Sequence, residues 1–419
     1  MRAARIALAL VATVMAASAH VSPSPPRHGG ESKSWHWVGS WSAAQQLPEP
    51  ANQLPDPFLR DATIRQTVHL SLGGQKIRVR ISNVYGTAPL HLTAVHVSRP
   101  VAPGVIVAAS DTPLTFAGRA DVTVPAGADY FSDPLRFPVA PYGDLTISLH
   151  ADAFASPPTG HPGARATSFL VTGDQVSAAQ LATPATLEHW YVIAGIEVQA
   201  PAATGAVVAL GDSITDGRGS IPDSNGRWPD DLARRMSGLG ILNKGLGGNR
   251  LLLDGLGPNA LARFDRDVLA EDGVRWLVLF EGINDLGGLT REAPASAEEH
   301  AALIVRMTAA YRQIIDRAHA RGLKVMAATL TPWMGFDYYH PDAASEADRK
   351  AVNAWLRSQS GADAVVDFDA VLRDPAAPDR LAPAYDCGDH LHPSPAGYQA
   401  MANAIPLAFF ARPHKSGRK

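Results

Sequence analysis

The rhythm of polar and apolar positions changes near the middle of the chain. In the first half the period is two. Ile64, Val68, Leu70 and Leu72 share one parity with polar neighbours between them, and Ile77, Val79 and Ile81 alternate with Lys76, Arg78 and Arg80. Such alternation marks half-buried strands. Gly73-Gly74 lies between the two runs, and a Gly-Gly joint between alternating segments predicts a β-hairpin. Further strand-like runs at 90–97, 121–124, 145–149, 168–171 and 190–198 are separated by Pro and Gly, with no sustained helical period. The pattern predicts an all-β sandwich or jelly-roll-like domain over 35–200.

Pro201-Ala202-Ala203-Thr204-Gly205 reads as a linker. Beyond it, continuous apolar runs at 206–210, 240–243, 274–280, 323–330 and 364–368 alternate with helical stretches. The clearest helix opens on Ser296-Ala297-Glu298-Glu299, a capping box. It carries Leu303, Ile304, Met307, Tyr311, Ile314, Ile315 and Ala318 on one face and stops at Gly322. Strands that are apolar throughout and alternate with helices predict a parallel, doubly wound α/β sheet over 205–411.

Composition adds bounds. With 419 residues, 46% hydrophobic and 18% charged, the chain has room for more than one globular domain. A net charge of −3 supplies no electrostatic reason to expect nucleic acid. Arg2 and Arg5 precede an apolar run from Ile6 to Met15, followed by Ala17-Ser18-Ala19. This is the pattern of a signal peptide over 1–19, cleaved after Ala19, which predicts a secreted or periplasmic protein. Residues 20–34 and 412–419 read as a disordered leader and tail. No later run is long enough for an integral membrane segment in the mature chain. Cys387 is the only cysteine, which excludes an intrachain disulfide and a zinc site built on Cys pairs. It reads as a small buried hydrophobe, with a reactive thiol as the alternative.

Candidate chemistry sits at the ends of the α/β strands, where open sheets bind ligands. Gly211-Asp212-Ser213 follows the first strand. Ser213 suits a nucleophile at the start of a helix, whose dipole favours developing negative charge. Asp212 suits a residue that braces the turn, and a plain helix cap is the rival reading. Asn243-Lys244-Gly245-Leu246-Gly247-Gly248-Asn249-Arg250 follows the second. Its glycines allow close backbone approach, and it lacks the third glycine of a dinucleotide loop. Glu281-Gly282-Ile283-Asn284-Asp285 follows the third, where the Asn284 amide can donate to an oxyanion. Tyr385-Asp386-Cys387-Gly388-Asp389-His390-Leu391-His392-Pro393 precedes the last helix. Asp389 can accept from one imidazole nitrogen of His392 and leave the other facing Ser213. His390 is the competing base. His390, His392, Asp386 and Asp389 are also possible metal ligands, but no further His or carboxylate partner stands at a fixed spacing, so no metal is expected.

With these four blocks in order, residues 205–411 resemble the SGNH, or GDSL-type, hydrolase superfamily of esterases and lipases. Gly211-Asp212-Ser213 matches the nucleophile block, Gly248 the glycine block, Gly282-Ile283-Asn284-Asp285 the Gly-x-Asn-Asp block, and Asp389 with His392 the Asp-x-x-His block. Ile214 stands where the name-giving motif has Leu. Residues 35–200 resemble the extra N-terminal β domain of one branch of secreted bacterial members. The resemblance implies a flavodoxin-like three-layer fold with a five-stranded parallel sheet and no cofactor. It implies Ser213 as nucleophile, His392 as base and Asp389 as its orienter, with the Ser213 N–H, the Gly248 N–H and the Asn284 amide around the oxyanion.

In the loop after the fourth strand, Trp333, Phe336 and Tyr338 are candidate substrate-binding aromatics. The expected activity is a secreted serine esterase acting on small-molecule, glycan or lipid esters, with carbohydrate O-acetyl or short-chain acyl esters first. Lipid or aryl ester hydrolysis, acyl transfer and non-catalytic carbohydrate binding are the alternatives.

Overall fold

Strand Gly205–Gly211 is buried along its whole length, second from one edge of a parallel sheet. The computed structural model describes residues 34–154 and 157–411. The predicted signal peptide, nearly all of the leader and the C-terminal tail lie outside the described residues. The parallel sheet has five strands in the order Leu239–Gly245, Gly205–Gly211, Val274–Phe280, Lys324–Ala328, Ala364–Val366. All four neighbouring pairs are parallel. Two to one to three to four to five in chain order is the flavodoxin-like arrangement, with its switch point beside the first strand.

The helix Ala297–Ala320 carries the expected capping box, with the Ser296 hydroxyl accepting from the Glu299 N–H and the Glu299 carboxylate accepting from the Ser296 N–H. It buries Leu303, Met307, Tyr311, Ile314, Ile315 and Ala318. Gly322 ends it at φ +75.

Residues 35–201 form two large antiparallel sheets and two two-stranded ones, as the alternating pattern requires. One orders Trp35–Ser42, Ile193–Pro201, Gly74–Ser82 and Leu135–Val139, with Asp129–Phe131 also on Gly74–Ser82. The other orders Ala185–Leu187, Ser168–Thr172, Arg60–His69, Asp144–Ala153, Leu90–Ser98 and Thr112–Pro113, with Val122–Val124 beside Leu90–Ser98. Ile64, Val68 and Leu70 from one parity, and Ile77, Val79 and Ile81 from the other, are all within 1% of fully buried and belong to one core.

The expected hairpin at Gly73-Gly74 does not form. Arg60–His69 and Gly74–Ser82 belong to different sheets, and the glycines lie where the chain crosses between them. Neither is among the residues with positive φ that a primed turn needs. They are small because space is short: a Cβ on Gly73 would stand 2.6 Å from Pro141 Cδ, and one on Gly74 2.8 Å from Val198 Cβ. The crossing backbone is satisfied instead by Ser40, whose carbonyl accepts from the Ser71 N–H at 2.9 Å and whose hydroxyl accepts from the Leu72 N–H at 3.0 Å. The apolar run at 190–198 is also divided. Val192, at φ +54, separates Trp190–Tyr191 from Ile193–Pro201.

From Trp35 onward the described chain is one compact unit. The antiparallel strand Trp35–Ser42 lies against Leu239–Gly245 of the parallel sheet so closely that a Cβ on Gly240 would be 2.0 Å from the Gly39 carbonyl oxygen. The Gly39 N–H donates to the Asp272 carbonyl at 3.0 Å, and the Ile241 N–H donates to Ser71 Oγ at 2.8 Å. Beneath them Glu271 receives Lys244 Nζ at 2.8 Å and the Arg80 guanidinium, all three side chains buried. An ion cluster of this depth holds only while every partner is present.

Candidate active site

The Gly211-Asp212-Ser213 turn comes directly off the strand Gly205–Gly211. Asp212, at the cap position, accepts from the Ile214 N–H at 2.8 Å, the bracing role expected of it. The helix that follows is a single turn, Ser213–Asp216, closed by Gly217 at φ +106. The helix dipole expected at Ser213 is therefore small, and the local donor is the Ser213 N–H itself.

Ser213 Oγ lies 2.8 Å from His392 Nε2. His392 Nδ1 lies 2.6 Å from Asp389 Oδ2, and Asp389 Oδ1 accepts from the backbone N–H groups of Leu391 at 3.0 Å and His392 at 2.9 Å. A carboxylate only accepts, so Nδ1 carries the proton and Nε2 is free to take one from the serine. Burial lowers the His392 pKa from its ordinary 6.5; Asp389 works against this, while the charges of Arg218 and Arg165 push the same way. Burial alone would raise Asp389, but the hydrogen bond and charge of His392 and the two backbone donors hold it well below the usual carboxylate range.

His390 is turned away. It stands at φ +69, half exposed, with Nδ1 2.7 Å from Asp386 Oδ2. His390 thus pairs with Asp386 and His392 with Asp389, while ligand atoms of Asp386, Cys387 and Asp389 lie within 4.8 Å of one another. Cys387 is exposed, contrary to the expectation of a buried thiol. Its loop is built of Asp386, Gly388, Asp389 and His390, none of which supplies apolar cover, and its N–H donates to the His392 carbonyl at 3.0 Å.

The opposite side of Ser213 is built by the glycine loop and the third strand end. Gly248 takes φ +67 and, with Asn284, lines the same cavity as Ser213. Asn284 is 2% exposed. Its Nδ2 donates to the Asn249 carbonyl at 2.8 Å and its Oδ1 accepts from the Tyr339 hydroxyl at 2.9 Å. These bonds fix the amide plane and leave the second Nδ2 hydrogen uncommitted. Asp285 fastens the two loops by accepting from the Leu251 and Leu252 N–H groups at 2.8 and 3.0 Å. Burial raises its pKa to about 6 despite those donors. Beneath the turn, burial also pushes Asp212 up to about 7 and Glu281 well above the ordinary carboxylate range. Neither Glu281 oxygen has a hydrogen-bond partner among the described residues, and the nearest guanidinium nitrogen, Arg263 Nη2, is 3.6 Å away.

Ser213, Gly248, Asn284, Asp389 and His392 all open on one cavity of about 530 Å³. Phe336 and Tyr338 line it as expected, and the Phe336 ring stands edge-on to His392 with centroids 5.9 Å apart. Trp333 does not reach it. That side chain is fully buried, packed near Tyr339 at 6.4 Å between centroids. The Trp333 backbone N–H donates to the Asp379 carbonyl at 3.2 Å, which turns the loop start inward, so Trp333 supports Tyr339 rather than substrate. Several lining residues went unread in the sequence. Gln46, Glu49, Asn52, Arg165 and His189 form a wall from the antiparallel region. Nothing in their local sequence marked them. Asp216 had a signal, since it closes the same Gly-Asp-Ser block; it is bonded at 2.9 Å to His161 Nε2, and His161 Nδ1 bonds the Ala44 carbonyl.

A parallel sheet that brings a serine, a histidine bonded to it, a glycine and an asparagine to one cavity is the layout of a carboxylic-ester hydrolase. Residues 209–400 match the model of the GDSL-like lipase/acylhydrolase family. Among solved structures, a GDSL-like lipase from Bacteroides thetaiotaomicron is similar at 21% identity and TM-score 0.38, over 49% of this chain and 87% of that one. An acetylxylan esterase from Geobacillus stearothermophilus is similar at 22% identity and TM-score 0.37, over 50% and 95%. A lipolytic G-D-S-L family member from Veillonella parvula is similar at 20% identity and TM-score 0.36, over 48% and 96%. No curated protein matches the chain. Among the described residues no helix is long and apolar enough to cross a membrane.

Proposed function

We propose that the protein is an exported serine esterase that cleaves acetyl or short-chain acyl esters of carbohydrates through an acyl-enzyme. The observation that carries this is the hydrogen-bonded chain Ser213–His392–Asp389, at 2.8 and 2.6 Å, opening on the cavity. Ser213 Oγ attacks the ester carbonyl as His392 Nε2 takes its proton, and Asp389 stabilises the imidazolium. The oxyanion is held by the Ser213 N–H, the Gly248 N–H and the free Asn284 Nδ2 hydrogen; removing one such donor typically costs about 10²–10³ in rate. His392 returns the proton to the leaving alcohol, and water then releases the acid by the same steps reversed.

The polar wall of Gln46, Glu49, Asn52 and His189 supports a hydroxyl-rich alcohol over a lipid tail. Residues 35–200 would then serve as a wall-forming domain joined to a hydrolase domain at 205–411. Export is supported by the Arg2/Arg5, apolar and Ala17-Ser18-Ala19 pattern, with cleavage after Ala19. A panel of acetyl-xylan, short p-nitrophenyl esters and a lysophospholipid tests the reading. It predicts turnover of the first two. Exclusive turnover of the lysophospholipid would overturn the carbohydrate assignment, and acyl transfer to an added sugar in place of acid release would overturn the hydrolase one.

A further inference from the structure

We propose that the alcohol half of the ester is an anionic sugar, bearing a carboxylate or sulfate that Arg165 grips. This deepens the carbohydrate-esterase reading and rests on it. The argument starts from the charges lining the cavity. The carboxylates there are Glu49, Asp216 and Asp389, and each is already committed within the protein. Glu49 receives the Gln46 and Asn52 amides at 2.9 and 2.7 Å, Asp216 is bonded to His161, and Asp389 to His392. The guanidinium groups are Arg165, Arg218 and Arg250. Arg218 comes only within 3.8 Å of Asp389 and is largely exposed. The Nε atoms of Arg165 and Arg250 are buried with no hydrogen-bond partner.

Arg165 is the more telling of the two. Among the described residues its side chain has neither a hydrogen bond nor an ion pair. The carboxylate nearest along the backbone network, Asp223, donates its N–H to the Arg165 carbonyl at 2.8 Å but gives its two oxygens to the Thr167 N–H and hydroxyl, at 2.7 and 2.6 Å. Arg165 is held at φ +49, a conformation a side chain of its size adopts at a cost and which clusters at ligand clamps. An unpartnered guanidinium half-sunk in a pocket is expensive unless something arrives to accept from it.

The side of the ester follows from the chemistry. His392 must hand its proton to the leaving oxygen, so the alcohol half lies against His392. Arg165 and Arg218 both line the cavity with His392 and their charges bear on it, whereas the charge of Arg250 bears on Tyr339 and Asp285. A planar guanidinium matches a carboxylate or sulfate through two parallel N–H donors.

The test compares three acetyl esters acetylated at the same position: methyl galactosiduronate, its 6-methyl ester, and the methyl galactoside 6-sulfate. p-Nitrophenyl acetate is run beside them. The wild-type enzyme is expected to favour at least one anionic ester over the neutral one by about ten- to a hundredfold in kcat/KM, the range of a hydrogen-bonded charge. Which anion wins identifies the group. Arg165→Gln should bring the ratio near one, and Arg165→Lys should keep part of it by retaining charge without the fork. Equal turnover of all three esters by the wild type, or a preference that survives Arg165→Gln, overturns the proposal. So does hydrolysis of p-nitrophenyl acetate with none of the sugar esters turned over, a result that leaves the esterase reading standing. No turnover of any ester sinks that reading and this inference with it. Should Arg165→Gln fail to fold, the wild-type ratio alone still decides.

Discussion

Replacing Asp389 by Asn tests how the base is oriented. The substitution keeps the shape of the side chain. One oxygen remains to accept from the Leu391 and His392 N–H groups, now at 3.0 and 2.9 Å. What changes is the atom facing His392 Nδ1 across 2.6 Å. An amide NH₂ there donates, so Nδ1 must give up its hydrogen and accept, and the ring proton moves to Nε2. Ser213 Oγ, 2.8 Å away, then faces a donor instead of a base. In a serine enzyme this tautomer error costs about 10⁴ in kcat, or about 5–6 kcal/mol at 1.36 kcal/mol per decade. The fold should survive, since the change removes one charge-assisted hydrogen bond, worth roughly 1.5–3 kcal/mol. Initial rates of p-nitrophenyl acetate hydrolysis at pH 8, with a urea unfolding curve on the same sample, measure both quantities. A loss below about tenfold in a folded variant would refute the assignment of Asp389 as the orienter of His392.

Three further outcomes follow from the same geometry. His392→Ala should abolish turnover, while His390→Ala, whose ring pairs with Asp386 and is half exposed, should lose less than about threefold, since exposed pairs of this kind contribute little; a larger loss at 390 reverses the choice of base. The acid limb of kcat/KM should be centred below pH 6.5, because burial holds His392 neutral to lower pH and the active form is the neutral one. Arg218→Gln removes a positive charge that favours that form and should move the limb upward; a limb centred above 6.5 in the wild type contradicts the environment described. Glu271→Leu should destabilise by about 3–5 kcal/mol, since it strands Lys244 and Arg80 as buried uncompensated cations. Arg234→Ala, at a half-exposed pair with Asp231, should cost under about 1 kcal/mol, and equal urea midpoints for the two variants would refute the contrast.

The parallel sheet and the residues gathered at its cavity were legible in the sequence because each leaves a local mark. A strand buried on both faces is continuously apolar, and Ser213, Gly248 and Asn284 each follow such a strand within a few residues, while His392 stands just before the last long helix, Pro395–Ala404. The antiparallel half was legible in period and not in pairing. Gly73-Gly74 carries the signal of a turn, yet its glycines answer to Pro141 and Val198, which come from elsewhere in the chain. Trp333 and Cys387 were misjudged for the same reason. Aromatic and thiol character say what a side chain tolerates, whereas the path of the loop decides whether it is covered, and that path depends on a backbone bond to the Asp379 carbonyl and on polar neighbours. Arg165 and Glu49 had no local mark at all. They reach the cavity because Gly39 and Gly240 let two sheets come together, a contact between residues about 200 positions apart.

The central claim is that Ser213 is the nucleophile, and Ser213→Ala tests it most directly. The variant removes one oxygen from a buried turn whose brace, Asp212 to the Ile214 N–H, is untouched. It is expected to keep the wild-type unfolding midpoint within about 1 kcal/mol and to hydrolyse p-nitrophenyl acetate no faster than buffer with a matched inert protein. Turnover near the wild-type rate by folded Ser213→Ala would contradict the account.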